Sequence, residues 1–150
     1  IQLEFLNKTS IQFKEYAKFA NYHEPMLPAC FLDSDTRLSL WAPIFEEHKF
    51  MGVFENHVHL FKRTFPLIAG KYQEGGVVYF GDGNWGVNPN DCYQQDPNPN
   101  ATGIFSSLGN VNHVWIVEVT SDQVKYFPIN STGHVFDSVY VQNISDYVDK

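Results

Sequence analysis

His57-Val58-His59 sets two imidazoles two residues apart. In an extended strand, residues i and i+2 share a face. Both imidazoles would then point the same way and could hold one metal ion. His113, or an aspartate or glutamate, would supply a third ligand. Lys62 and Arg63 follow directly, and no carboxylate lies at close spacing downstream. That neighbourhood speaks against a metal site, and His57 and His59 stand only as the alternative reading, ligands of a metal-dependent hydrolase.

A second candidate is the stretch Gly75 to Asn100, which reads GGVVYFGDGNWGVNPNDCYQQDPNPN. Asp82, Asn84, Asn88, Asn90, Asp91 and Asp96 carry the hard oxygens that Ca²⁺ prefers. Asp82-Gly83-Asn84 opens like a calcium loop, but the spacing then departs, with Val87 and Tyr93 where glycine and glutamate would stand. Turn chemistry accounts for the same residues. Trp85, with Tyr79 and Tyr93 nearby, reads as a contact platform. Asp82, Trp85, Asp91, Tyr93 and Asp96 are the candidate binding residues.

A third set is Cys30, His113 and Asn130. The run His113-Val-Trp-Ile-Val-Glu-Val119, followed by a strand ending in Asn130, resembles the base-bearing strand of papain-like peptidoglycan amidases. That resemblance covers about twenty residues. It implies Cys30 as nucleophile, His113 as base and Asn130 as the group orienting the imidazole. No glycine-rich or aromatic helix start surrounds Cys30. A fainter likeness runs along the whole chain. Leu27-Pro28, Leu38 to Trp41, Phe65-Pro66-Leu67-Ile68 with Gly75-Gly76, and Ile144 to Val148 are similar in order to small acidic immunity proteins that neutralise toxins. The Asn-Gly of that pattern is missing here.

Composition narrows the choices. The 150 residues suit one domain with a real core, and 43% hydrophobic with 18% charged residues is a folded composition. Aromatics reach 16%, which favours strands. The net charge of −7 is uneven: residues 1–71 balance eight acids against eight bases, whereas residues 72–150 hold nine acids and only Lys125 and Lys150. A half without a basic patch argues against nucleic acid and suits a basic protein partner. No apolar run is long enough to span a membrane. The first residue is Ile1, which leaves a removed leader open. Sequons at Asn7, Asn100, Asn130 and Asn143 favour a secreted setting and a structural glycoprotein as a further reading. Cys30 and Cys92 could form one bridge or stay apart.

The elements read as follows. Alternation predicts a strand over Ile1 to Leu6, and a Thr9/Gln12 capping box predicts a helix from about Ser10 to Asn21. Leu38 to Trp41 is a candidate strand. Pro43 suits the first turn of a helix over about Ala42 to Met51, which Gly52 ends. Val53 to Phe61 is open between helix and strand. Leu67 to Ala69 and Val77 to Phe80 read as a hairpin, and Gly81 to Gly103 as a long functional loop. Val114 to Val119 is predicted as a central strand. Strands over Gln123 to Ile129 and Val139 to Val141 and a terminal helix over Ile144 to Val148 complete the chain. The sum is α+β: N-terminal helices packed on a mainly antiparallel sheet in a single domain. The leading functional expectation is a non-enzymatic binding domain that engages a basic protein through loop 81–100, toxin-immunity-like, with no cofactor. The hydrolase readings stand as its rivals.

Overall fold

A helix pair, a mixed five-stranded sheet and a small antiparallel sheet are stacked in that order, an α+β arrangement. The computed structural model of the protein describes residues 1–27, 29, 36–81, 83–90 and 103–148. Helix α1 spans Gln2–Gln12. The alternation Ile1, Leu3, Phe5 that predicts a strand is not a burial pattern, since Ile1 and Phe5 lie exposed. Helical spacing wins because Leu6 and Ser10 turn inward together, and Glu4 pairs with Lys8 at 2.7 Å across one turn.

Strand β1, Phe19–Asn21, follows, and then α2, Thr36–Glu47. The helices are thus interleaved with strands, where the sequence reading put them together at the front. The strand expected at Leu38 to Trp41 is part of α2. Pro43 lies inside that helix, not in its first turn. It is tolerated on the solvent side, where a helix can bend away from the core.

Next come β2 (Gly52–Phe54), β3 (Phe61–Thr64), β4 (Leu67–Ile68), β5 (Lys71–Tyr72) and β6 (Val78–Gly81). Strands β4 and β5 close a hairpin through Ala69 and Gly70, both at positive φ (50° and 71°) as a tight two-residue turn requires. The wider hairpin predicted between Leu67 and Val77 survives as a single antiparallel bridge. Strands β7 (Phe105–Gly109), β8 (His113–Val119), β9 (Gln123–Asn130) and β10 (Tyr140–Asn143) follow, and a 3₁₀ turn at Ile144–Asp146 stands where a terminal helix was predicted.

The mixed sheet is ordered β1-β2-β6-β3-β7, with β1, β2 and β6 parallel and β3 antiparallel to both its neighbours. The second sheet is β10-β9-β8, so β8 lies at an edge and β9 in the middle. The apolar run that predicts a central β8 overlooks β9, whose Val124 and Tyr126 alternate into the core at 0% exposure.

Strand alternation explains the layers. Val53 and Tyr79 pack with Ala42 and Phe45 of α2 on one face of the mixed sheet. Val78 and Phe80 turn to the other face and meet Val124, Tyr126 and Tyr147. Phe80 stacks on Tyr126 with ring centroids 4.6 Å apart. Each such buried aromatic contributes about 1.5–3 kcal/mol of burial free energy. The sheet is therefore held on both faces, and the loops at its ends are presented on a rigid frame. Among the described residues no helix is long and apolar enough to cross a membrane.

Candidate active site at the carboxyl ends of the parallel strands

The registers Asn21↔Phe54 and Phe54↔Phe80 make the chain leave β1, β2 and β6 at one edge of the sheet. Ligands of open sheets with parallel strands gather at that edge. His23 lies just beyond β1 and His57 just beyond β2.

Backbone and amide contacts join the two exits. Asn56 N–H donates to His23 O at 3.0 Å, and Asn56 Nδ2 donates to Tyr22 O at 2.7 Å and Asn21 Oδ1 at 3.0 Å. Val58 N–H then donates back to Asn56 O at 3.0 Å, closing a three-residue γ-turn with His57 at its centre, φ 78°. This hand of γ-turn is rare and strained. Val58 is buried with Ala29, Leu60 and Phe105, which pins the turn from below. His59 also has positive φ, 59°. Residues 57–59 are therefore not a strand, and the shared face predicted for His57 and His59 does not arise from strand geometry.

His57 instead meets His23. Its Nδ1 lies 3.0 Å from His23 Nε2, and both rings are exposed. Metal–nitrogen bonds of about 2.0–2.1 Å set two nitrogens on one tetrahedral ion roughly 3–3.4 Å apart. The pair fits that spacing. Among the described residues no group of three His, Cys, Asp or Glu converges to hold a metal ion.

Beneath the pair sits an ion pair with no solvent exposure. Lys62 Nζ lies 2.5 Å from Glu55 Oε2 and 2.6 Å from Leu27 O. Glu55 Oε1 accepts from Tyr22 OH and from Met26 N–H, both at 2.7 Å. Gly81 makes room for this arrangement: a Cβ there would lie 2.5 Å from Lys62 Cε. Gly83, at φ 73°, brings the exit of β6 against Asn56 and the His57 amide.

Beside the loops an open cleft of about 250 Å³ is lined in part by Asn21, Asn56, Gly83, Trp85, His113 and Trp115. His113 is buried, with Nε2 2.8 Å from Gly81 O and Nδ1 2.8 Å from Val111 O. Burial lowers its pKa, and the two carbonyls oppose that by favouring the charged ring. A neutral imidazole has one N–H, so it donates to only one of these carbonyls at a time. Asn130 faces His113 in the β8–β9 register, but its amide oxygen accepts from Thr132 N–H and His134 N–H, closing its own turn. The imidazole is thus engaged by two backbone carbonyls, and Asn130 Oδ1 by its own turn.

Cys30, Asp82, Asp91, Tyr93 and Asp96 lie outside the described residues. Trp85 is 58% exposed. Sequence reasoning missed His23, Glu55, Asn56 and Lys62. The available signal was positional: each of His23 and His57 ends a short apolar segment, which matters only once β1 and β2 are known to be parallel neighbours.

The fold and strand-end site place the chain among α+β domains with a mixed sheet. No protein-family model matches the chain, and no curated protein sequence matches it. Among solved structures it is similar to purple acid phosphatase PPD1 isolated from yellow lupin (Lupinus luteus) seeds, with a TM-score of 0.77 and 13% identity. The match covers 97% of this chain and 29% of the lupin chain, so this chain spans less than a third of that protein's length. The likeness is one of fold.

Proposed function

We propose that the chain is part of a metal-dependent hydrolase of phosphate esters, in which His23 and His57 supply two metal-binding nitrogens. The remaining ligands would come from groups beyond the described residues, in this chain or outside it. The observation that carries this reading is the 3.0 Å approach of two exposed imidazoles at the ends of neighbouring parallel strands. Strain at His57 supports it, because costly backbone persists where a site needs it. The likeness in fold to a phosphatase supports the choice of substrate. A bound divalent ion would supply Lewis acidity toward a phosphoryl oxygen and an activated water. This chain's part is to hold two imidazoles at fixed spacing on a frame buried from both sides.

The test is hydrolysis of p-nitrophenyl phosphate by the polypeptide in its native length. His57→Ala and His23→Ala are each expected to cost at least about 100-fold in kcat/KM, equivalent to about 2.7 kcal/mol. Undiminished activity in either variant contradicts the reading. A second reading, engagement of a basic protein through loop 81–100, is favoured by the exposure of Trp85. Replacing Asp82, Asp91 and Asp96 by Asn should weaken such a complex and flatten its salt dependence.

A further inference from the structure

We infer that Glu55 is a positioning residue: its carboxylate, neutralised by Lys62, sets the spacing of His23 and His57. The inference rests on reading those histidines as a ligand pair. The first observation is that the carboxylate touches both histidine-bearing loops. It accepts from Tyr22 OH and Met26 N–H, which bracket His23 at one residue before and three after. It is itself two residues before His57. One side chain therefore fixes both exits.

The second observation is the way its charge is handled. Glu55 and Lys62 are both wholly buried, and Lys62 also donates to Leu27 O at the far end of the His23 loop. Burying such a pair costs desolvation that an apolar pair would avoid, so stability alone is a poor reason for it. What an apolar pair cannot do is accept from Tyr22 OH and Met26 N–H at once. The third observation is the contact above it. Asn56 N–H to His23 O, and Asn56 Nδ2 to Tyr22 O, act in the same direction, so Glu55 and Asn56 form two successive ties between the loops. Residues that orient metal ligands in this way typically change affinity about 10–100-fold when removed.

Two double variants separate positioning from bulk stability. Glu55→Gln/Lys62→Met removes both charges but keeps an acceptor oxygen for Tyr22 and Met26. Glu55→Leu/Lys62→Met removes the charges and the acceptor. The readout is the ring nitrogen spectrum of His23 and His57 in ¹⁵N-labelled chain. A hydrogen bond between the rings fixes one as donor and the other as acceptor, whereas separated exposed rings average their tautomers. Wild type and the Gln/Met variant are expected to show fixed tautomers, and the Leu/Met variant averaged ones. Tyr22→Phe, which removes one donor and keeps the ring, is expected to fall between and serves if the Leu/Met chain fails to fold. Fixed tautomers in the Leu/Met variant, or wild-type behaviour in Tyr22→Phe when Leu/Met is unfolded, overturn the inference.

Zn²⁺ titration in the same spectra reads the ligand role separately. The Leu/Met variant is expected to need at least about tenfold more Zn²⁺ than the Gln/Met variant to shift both rings. Equal concentrations contradict the inference. Rings that ignore Zn²⁺ in wild type sink the ligand reading, while the tautomer result still decides whether Glu55 sets the spacing.

Discussion

Glu55 Oε2 and Lys62 Nζ approach to 2.5 Å with neither side chain reaching solvent, seven residues apart in sequence and on opposite sides of the His57 turn. A lone buried charge is far more costly than the pair, so the two residues act as one unit.

Lys62→Met leaves the Glu55 carboxylate buried without its counter-ion. The expected loss is about 3–5 kcal/mol in urea unfolding. Adding Glu55→Gln to Lys62→Met should recover most of it. A double variant no more stable than the single one would show that the pair is not coupled.

His57→Gly should raise stability while removing the nitrogen proposed to bind metal. A non-glycine residue at φ 78° carries strain on the order of 1–3 kcal/mol, which glycine relieves at some cost in unfolded-state entropy. The net gain expected is about 1 kcal/mol, read as a higher urea midpoint. The lost contact with His23 is exposed and subtracts little. A destabilised His57→Gly chain would mean that the turn is not strained.

His113 should give acid sensitivity. Burial, the largest cause, lowers its folded-state pKa below the unfolded value of about 6.5. The unfolded chain then takes up a proton first as pH falls. The stability contributed by the neutral ring is full above about pH 6.5 and is lost as pH drops through the folded pKa. His113→Gln lacks this slope, so the stability gap between wild type and variant should narrow as pH is lowered from about 7.5 to 5. A constant gap would contradict the assignment.

The α+β class and the β4, β6, β8, β9 and β10 segments were legible because aromatic and β-branched runs between turns leave few alternatives. The N-terminal strand was misread because Ile1, Leu3 and Phe5 alternate without being buried, and the packing of Leu6 outweighs them. Parallel pairing of β1 and β2 was not legible: each is three residues long, and their register is set by burial between α2 and β9. The site inherits that gap. His57 was picked out as a neighbour of His59, yet its partner is His23, 34 residues away and brought near only by the parallel register. Glu55 and Lys62 are not singled out by the sequence, since their burial depends on loops meeting that it does not announce.

The central claim is that His23 and His57 belong to a metal centre, and metal content tests it most directly. The measurement is zinc, iron and manganese per chain in the native-length polypeptide, beside the His23→Ala/His57→Ala variant at matched folding. The expected result is about one or more ions per wild-type chain, with metal lost in the variant. A folded wild-type protein without metal, or a variant that keeps all of it, would contradict the claim.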